Sequence, residues 1–215
     1  MTMLKNVLGC VAFGLLLMPL CAEAGPLTIV NVNAPAINCV FNPSCTVVVT
    51  DSIGSFTPPG DVGVARLQSR TYPGVSGAPA AGLTAYVYRV DLTSVKALSA
   101  VNCVSKLLLD IGPIAKLAYL PPSPTHGPMT ADVFVVTSGG LGTIGLSSAV
   151  QTGNIVTFTF SKPVCPKGSS AAANFPGETS FFFGLAAKTT PKPSTAKLVY
   201  SLGGGATTAA RVPTH

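Results

Sequence analysis

Asn154-Ile-Val-Thr-Phe-Thr-Phe-Ser-Lys-Pro-Val-Cys165 is the stretch that decides the fold class. Val156, Phe158 and Phe160 alternate with Thr157, Thr159 and Ser161, and a period of two marks a strand with one apolar and one polar face. Lys162-Pro163 is expected to stop the strand, because proline donates no hydrogen bond to a sheet ladder. Cys165 follows directly as a covalent anchor.

Outward from this stretch the same plan repeats. Short β-prone runs occupy Leu27–Asn33, Thr46–Thr50, Val64–Tyr72, Leu83–Asp91 and Val104–Ile111. Others follow at Ile114–Leu120, Asp132–Thr137, Thr179–Ala186 and Thr195–Leu202. Glycine- and proline-rich pieces separate them, such as Thr57-Pro-Pro-Gly-Asp61, Pro73–Gly82 and Pro121–Pro128. Leu107-Leu-Leu109 is continuous and suggests burial on both faces. Leu92–Ser105 is the most helix-like segment, with Leu92, Val95, Leu98 and Val101 about three apart. Strands do not alternate with long helices, which argues against a parallel α/β fold. The expectation is an all-β, antiparallel β-sandwich, Ig-like or jelly-roll-like, of about nine or ten strands. At most one short helix is expected besides the leader. The domain should span residues 25–202, with 203–215 as a flexible tail.

The amino terminus sets the compartment. Lys5 precedes an apolar run from Val7 to Leu20, and Ala22-Glu23-Ala24 closes it. This order is that of a secretory signal peptide, expected to be cleaved after Ala24. No second apolar run of spanning length follows, so no stable membrane insertion is expected after cleavage. The product is expected outside the cytoplasm: secreted, periplasmic or at the cell surface. Cys39, Cys45, Cys103 and Cys165 remain, and an even set in an exported chain points to disulfides. The pairing is open from sequence alone. Cys39–Cys45 is favoured because Asn42-Pro43-Ser44 between them is turn-forming, with Cys103–Cys165 tying two distant strands. No CxxC pair is present, which disfavours zinc.

The net charge of +6 reflects scarce acids. Beyond residue 24 these are Asp51, Asp61, Asp91, Asp110, Asp132 and Glu178. Lys and Arg are scattered singly, whereas a nucleic-acid site concentrates them on one face, so no nucleic-acid partner is expected.

Catalytic patterns are thin. Gly140-Leu-Gly-Thr-Ile-Gly145 fits the dinucleotide-loop spacing, but Leu146–Gly153 is too short and polar for the helix that must follow. No acid stands about twenty residues on to hold a ribose, so the loop is taken as a connection and no cofactor is expected. His126 with Asp132 is the one acid–base pairing that a hydrolase would use. No G-x-S-x-G elbow accompanies it. The aspartates at strand ends form no D-x-D-x-D loop, so no metal is expected.

Aromatic side chains supply the candidate contact surface. Tyr86 and Tyr88 share one face of their strand, as a sugar-stacking pair would, or as packing residues would. Phe181, Phe182 and Phe183 are consecutive, so one at least must point away from a one-sided core. That implies burial on both faces or an exposed apolar patch.

Asp132-Val-Phe-Val-Val-Thr-Ser-Gly-Gly-Leu-Gly-Thr-Ile-Gly145, Val156-Thr-Phe-Thr-Phe-Ser161 with Pro163-Val-Cys165, and Gly177-Glu-Thr-Ser-Phe-Phe-Phe-Gly-Leu-Ala186 together resemble uncharacterised exported bacterial β-domain proteins. Some of these carry PEP-CTERM-type sorting tails. The resemblance covers the C-terminal third and implies export and a β domain. Ala206–His215 lacks the Pro-Glu-Pro signal, apolar helix and basic end of such a tail. The expected function is non-enzymatic: an extracellular structural, surface or assembly role, through self-association or an extracellular protein. A carbohydrate- or ligand-binding module is the alternative, and a secreted hydrolase a distant third.

Overall fold

The computed structural model describes residues 24–98, 102–120, 129–168 and 176–215. Its elements, in chain order, are β1 (Gly25–Pro26), β2 (Ile29–Asn33), α1 (Ala34–Phe41), β3 (Thr50–Phe56), β4 (Asp61–Gly63), β5 (Ala65–Pro73) and β6 (Thr84–Asp91). β7 (Val95–Ala97), β8 (Val104–Asp110), β9 (Leu117–Leu120), β10 (Met129–Ala131), β11 (Val133–Ser138) and β12 (Leu146–Thr152) follow. β13 (Ile155–Val164), β14 (Phe182–Ala187), β15 (Pro191–Tyr200) and β16 (Gly205–Pro213) complete the chain. The protein is all-β with a single described helix, and its strands outnumber those expected because several are two or three residues long.

Two six-stranded sheets form the sandwich. One runs β1-β12-β13-β8-β15-β16, the other β2-β11-β14-β6-β5-β3. All described pairings within them are antiparallel except β2 with β11. The first sheet is one-sided, as the alternation of β13 requires: Val156, Phe158 and Phe160 are buried and Thr157 and Thr159 are half-buried. β13 does not end at Lys162-Pro163 but continues to Val164. Its pairing with β8 becomes irregular between Thr159 and Val164, so the missing proline N–H falls where the ladder is already broken. Leu107-Leu-Leu109 is one-sided as well, with Leu107 and Leu109 inward and Leu108 half-buried.

The second sheet is a middle layer. Its inner face shares a core with the first sheet through residues such as Leu67, Tyr88, Val135, Phe183 and Leu185. Its outer face carries a second core containing Val87, Phe134, Val136 and Phe182, covered by α1 and by Tyr119 of β9. This explains why every residue of β14 is buried. α1 follows Asn33, whose Oδ1 accepts the Ala36 N–H at 2.8 Å, and proline occupies its first turn, where a missing N–H costs nothing. It ends before Pro43 and buries Ile37, Val40 and Phe41.

Three expectations are corrected. Thr46–Val49 forms no strand; β3 begins at Thr50 and runs through Asp51-Ser52, residues with the composition of a turn, and on through Ile53. Asp51 is held in the ladder by Arg70, whose Nε donates to Oδ1 at 2.8 Å from the neighbouring strand. The helix-like segment instead contains β7, paired with β4, and the start of β8; residues 99–101 lie outside the described part. Residues 203–215 are not a tail. They contain β16, paired with β15 along its whole length, and end with His215 Nε2 3.0 Å from Asp110 Oδ1.

Candidate functional site

Tyr86 and Tyr88 sit on the inner face of β6 and are completely buried. The Tyr86 hydroxyl donates to the Thr189 carbonyl at 2.5 Å and the Tyr88 hydroxyl to the Arg211 carbonyl at 2.8 Å. Burial pushes the Tyr86 phenol up to about 12, with the Thr189 bond opposing, and raises Tyr88 well above the usual value. The expected exposed pair is therefore corrected. Alternation placed the two rings on one face, but that face looks into the sandwich, and a sugar cannot stack there.

The three phenylalanines divide between the two cores. Phe183 packs inward, 5.1 Å from Phe158 and 5.7 Å from Phe160 between ring centroids. Phe181 is half-buried against the same core. Phe182 points the other way, 6 % exposed, with the guanidinium carbons of Arg70 and Arg89 at 4.3 and 5.2 Å from its ring centroid. Both faces are covered, because this sheet is the middle layer.

Phe182 belongs to a groove of about 440 Å³ on the outer face of the middle sheet. Val87, Val136, Tyr72 and Phe182 belong to the sheet, Ile37 and Asn38 to α1. Thr46, Val47 and Val49 line it as well, with Gly139-Gly140-Leu141 at another side. Arg70 is the cation among the lining residues. Asp51 Oδ1 takes its Nε and also Gln68 Nε2 at 3.0 Å, which holds the guanidinium against the Phe182 ring. The cavity size is that of a small-ligand site. Its chemistry suits an apolar group on the aromatic and aliphatic floor and an anionic end at Arg70.

The motif positions resolve differently. In the glycine-rich loop Gly142 has φ +104°, and a Cβ there would collide with the Ser180 carbonyl. Thr143 N–H donates to Thr179 O at 3.0 Å and Phe181 N–H to Ile144 O at 2.8 Å. The glycines let one backbone lie against another, a packing reason that needs no phosphate. Asp132 accepts the Thr28 N–H at 2.8 Å and lies 3.8 Å from Lys116 Nζ, so it ties the chain before β2 to β11. His126 lies outside the described residues. Among the described residues no group of three or more His, Cys, Asp or Glu is placed to hold a metal.

Cys39–Cys45 and Cys103–Cys165 are disulfides. The first joins α1 to the groove wall; the second joins the residue before β8 to the residue after β13. No described helix is long and apolar enough to cross a membrane. Of the groove residues, the sequence marks Phe182 as a contact candidate and Cys45 as a disulfide cysteine. Arg70 falls within the β-prone run Val64–Tyr72, but its partners Asp51 and Phe182 come from distant segments. Ile37 and Asn38 were hidden because Pro35 marks the end of a strand as readily as the start of a helix. Compared with family models, curated proteins and solved structures, the chain matches none.

Proposed function

We propose that this chain is an exported, non-enzymatic β domain with an extracellular structural, surface or assembly role, and that its contact surface runs along Thr46–Ile53 at the margin of the middle sheet. Export is supported by the charged, apolar and small-residue order of Lys5 to Ala24 and by the two disulfides. The observation that carries the assembly role is a run of exposed branched side chains: Val48 at 84 %, Val49 at 37 % and Ile53 at 55 % exposure. Single exposed apolar residues are ordinary, but three branched ones within six residues of one edge are a contact signal. Light scattering coupled to size exclusion tests the reading. Association that grows with concentration is expected, and a strictly monomeric, dispersed protein at every concentration counts against it.

A second reading, a ligand-binding module, is favoured by the groove with Arg70 set over Phe182. The probe is 1-anilinonaphthalene-8-sulfonate, an apolar anion. Saturable binding is expected, weakened about tenfold in Arg70→Gln, the loss of roughly 1.4 kcal/mol. Binding unchanged in that variant removes the reading.

A further inference from the structure

Thr46-Val47-Val48-Val49-Thr50 reads the same in both directions. We propose that two copies of this chain pair antiparallel along the segment, with Val48 on the two-fold axis. Thr46 then faces the second copy's Thr50, Val47 faces Val49 and Val48 faces its own counterpart. A two-fold contact requires one surface to complement itself, and an antiparallel palindrome satisfies that residue by residue. Thr–Thr and β-branched pairs directly opposite one another are favourable cross-strand combinations. This deepens the assembly reading above and rests on it.

The segment is prepared for such pairing. Val48 projects to solvent at 84 % exposure between Val47 and Val49, which line the groove together with Thr46. Yet among the described residues Val47, Val48 and Val49 make no backbone hydrogen bond. One end is pinned by the Cys39–Cys45 disulfide and by Asn42 Nδ2, which donates to Thr46 O at 2.6 Å. The other end is pinned where Thr50 pairs with Thr71. A segment already held extended loses little conformational freedom on association. Natural edges are usually protected by lysine, proline or a bulge. Here no charged residue occurs from Gly25 to Thr50. The nearest acid, Asp51, does not oppose the pairing. In this register the two Asp51 residues stand six positions apart along the ladder, about 20 Å at ~3.4 Å per residue. That exceeds the Debye length of about 8 Å at physiological salt.

The test compares the mature chain with Val48→Lys, Val48→Cys, and the controls Leu202→Lys and Leu202→Cys at another exposed apolar site, 66 % exposed. The expected result is a dimer fraction that rises with concentration, a dissociation constant at least about tenfold weaker in Val48→Lys, and no change in Leu202→Lys. At concentrations low enough to keep both monomeric, melting temperatures should match that of the unmodified chain, since Val48 lies outside both cores. Under mild oxidation Val48→Cys should give a dimer linked through residue 48, and Leu202→Cys should not. Association that persists in Val48→Lys, or a dimer that Val48→Cys fails to link, overturns this pairing and leaves the assembly reading standing. A monomer at all concentrations overturns both.

Discussion

Gly54 shows how a single residue reports on the whole sandwich. It lies on the inner face of β3, and a Cβ there would run into the Ala209 carbonyl and the Thr208 hydroxyl of β16. Beside it, Thr208 Oγ1 donates to Ser55 O at 3.0 Å. The edges of the two sheets close on one another at this point, and only glycine allows the distance. Gly54→Ala is expected to lower stability by about 1–3 kcal/mol, the cost of forcing atoms into a packed site. Urea melts should show this as a lower midpoint with an unchanged slope. Nothing local announces the role of Gly54, because its neighbour belongs to the last strand of the chain. The tyrosines teach the complementary lesson. Period-two alternation placed Tyr86 and Tyr88 together from sequence, but it assigns residues to faces without saying which face meets the core. In a sheet buried on both sides the polar tip of a ring is no guide, since a backbone carbonyl satisfies each hydroxyl.

At the scale of elements, strands with clean alternation were legible and the exceptions have physical causes. β13 and β6 follow the pattern because each residue meets a consistent face. β16 was not legible because Gly203-Gly-Gly205 and Ala206, Ala209 and Ala210 have low strand preference, with only Thr207 and Thr208 favouring a strand. Tertiary contact overrides that preference: Ala210 and Val212 enter the core, and Arg211 supplies the acceptor for Tyr88. A chain truncated after Leu202 is therefore expected to lose cooperative folding, seen as a broad or absent thermal transition by circular dichroism. A sharp, unshifted transition would mean that β16 is dispensable. The disulfides act on unequal scales. Cys39–Cys45 closes a separation of 6 residues and Cys103–Cys165 one of 62. Loop entropy assigns them about 2 and about 4 kcal/mol. Replacing both cysteines of each pair by serine should reproduce that order in denaturant midpoints.

For the molecule as a whole, burial of aromatic hydroxyls makes a pH signature. Tyr72, Tyr86, Tyr88, Tyr119 and Tyr200 are all the tyrosines of the chain, and burial raises every one. The folded state keeps these protons at a pH where the unfolded chain, titrating near its ordinary value of about 10, releases them. Stability therefore holds below about pH 10 and falls as pH rises beyond it, with the unfolded chain binding fewer protons. Absorbance at the tyrosinate band should stay flat in the native protein through pH 10 and then rise steeply together with loss of ellipticity. Titration of a tyrosine in the folded protein near the ordinary value of about 10 would contradict the packing described. The middle sheet has a last consequence, for delivery. β14 inserts between β6 and β11, and β16 arrives after it, so partners early in the chain wait for residues near its end. A polypeptide emerging amino-terminus first across a membrane cannot seal the outer core before β14 has passed, nor the shared core before β16 has, and long-range pairing of this kind is slow and exposed meanwhile. An arrested translocation product ending before Phe182 should remain fully open to protease, whereas the released chain should resist it.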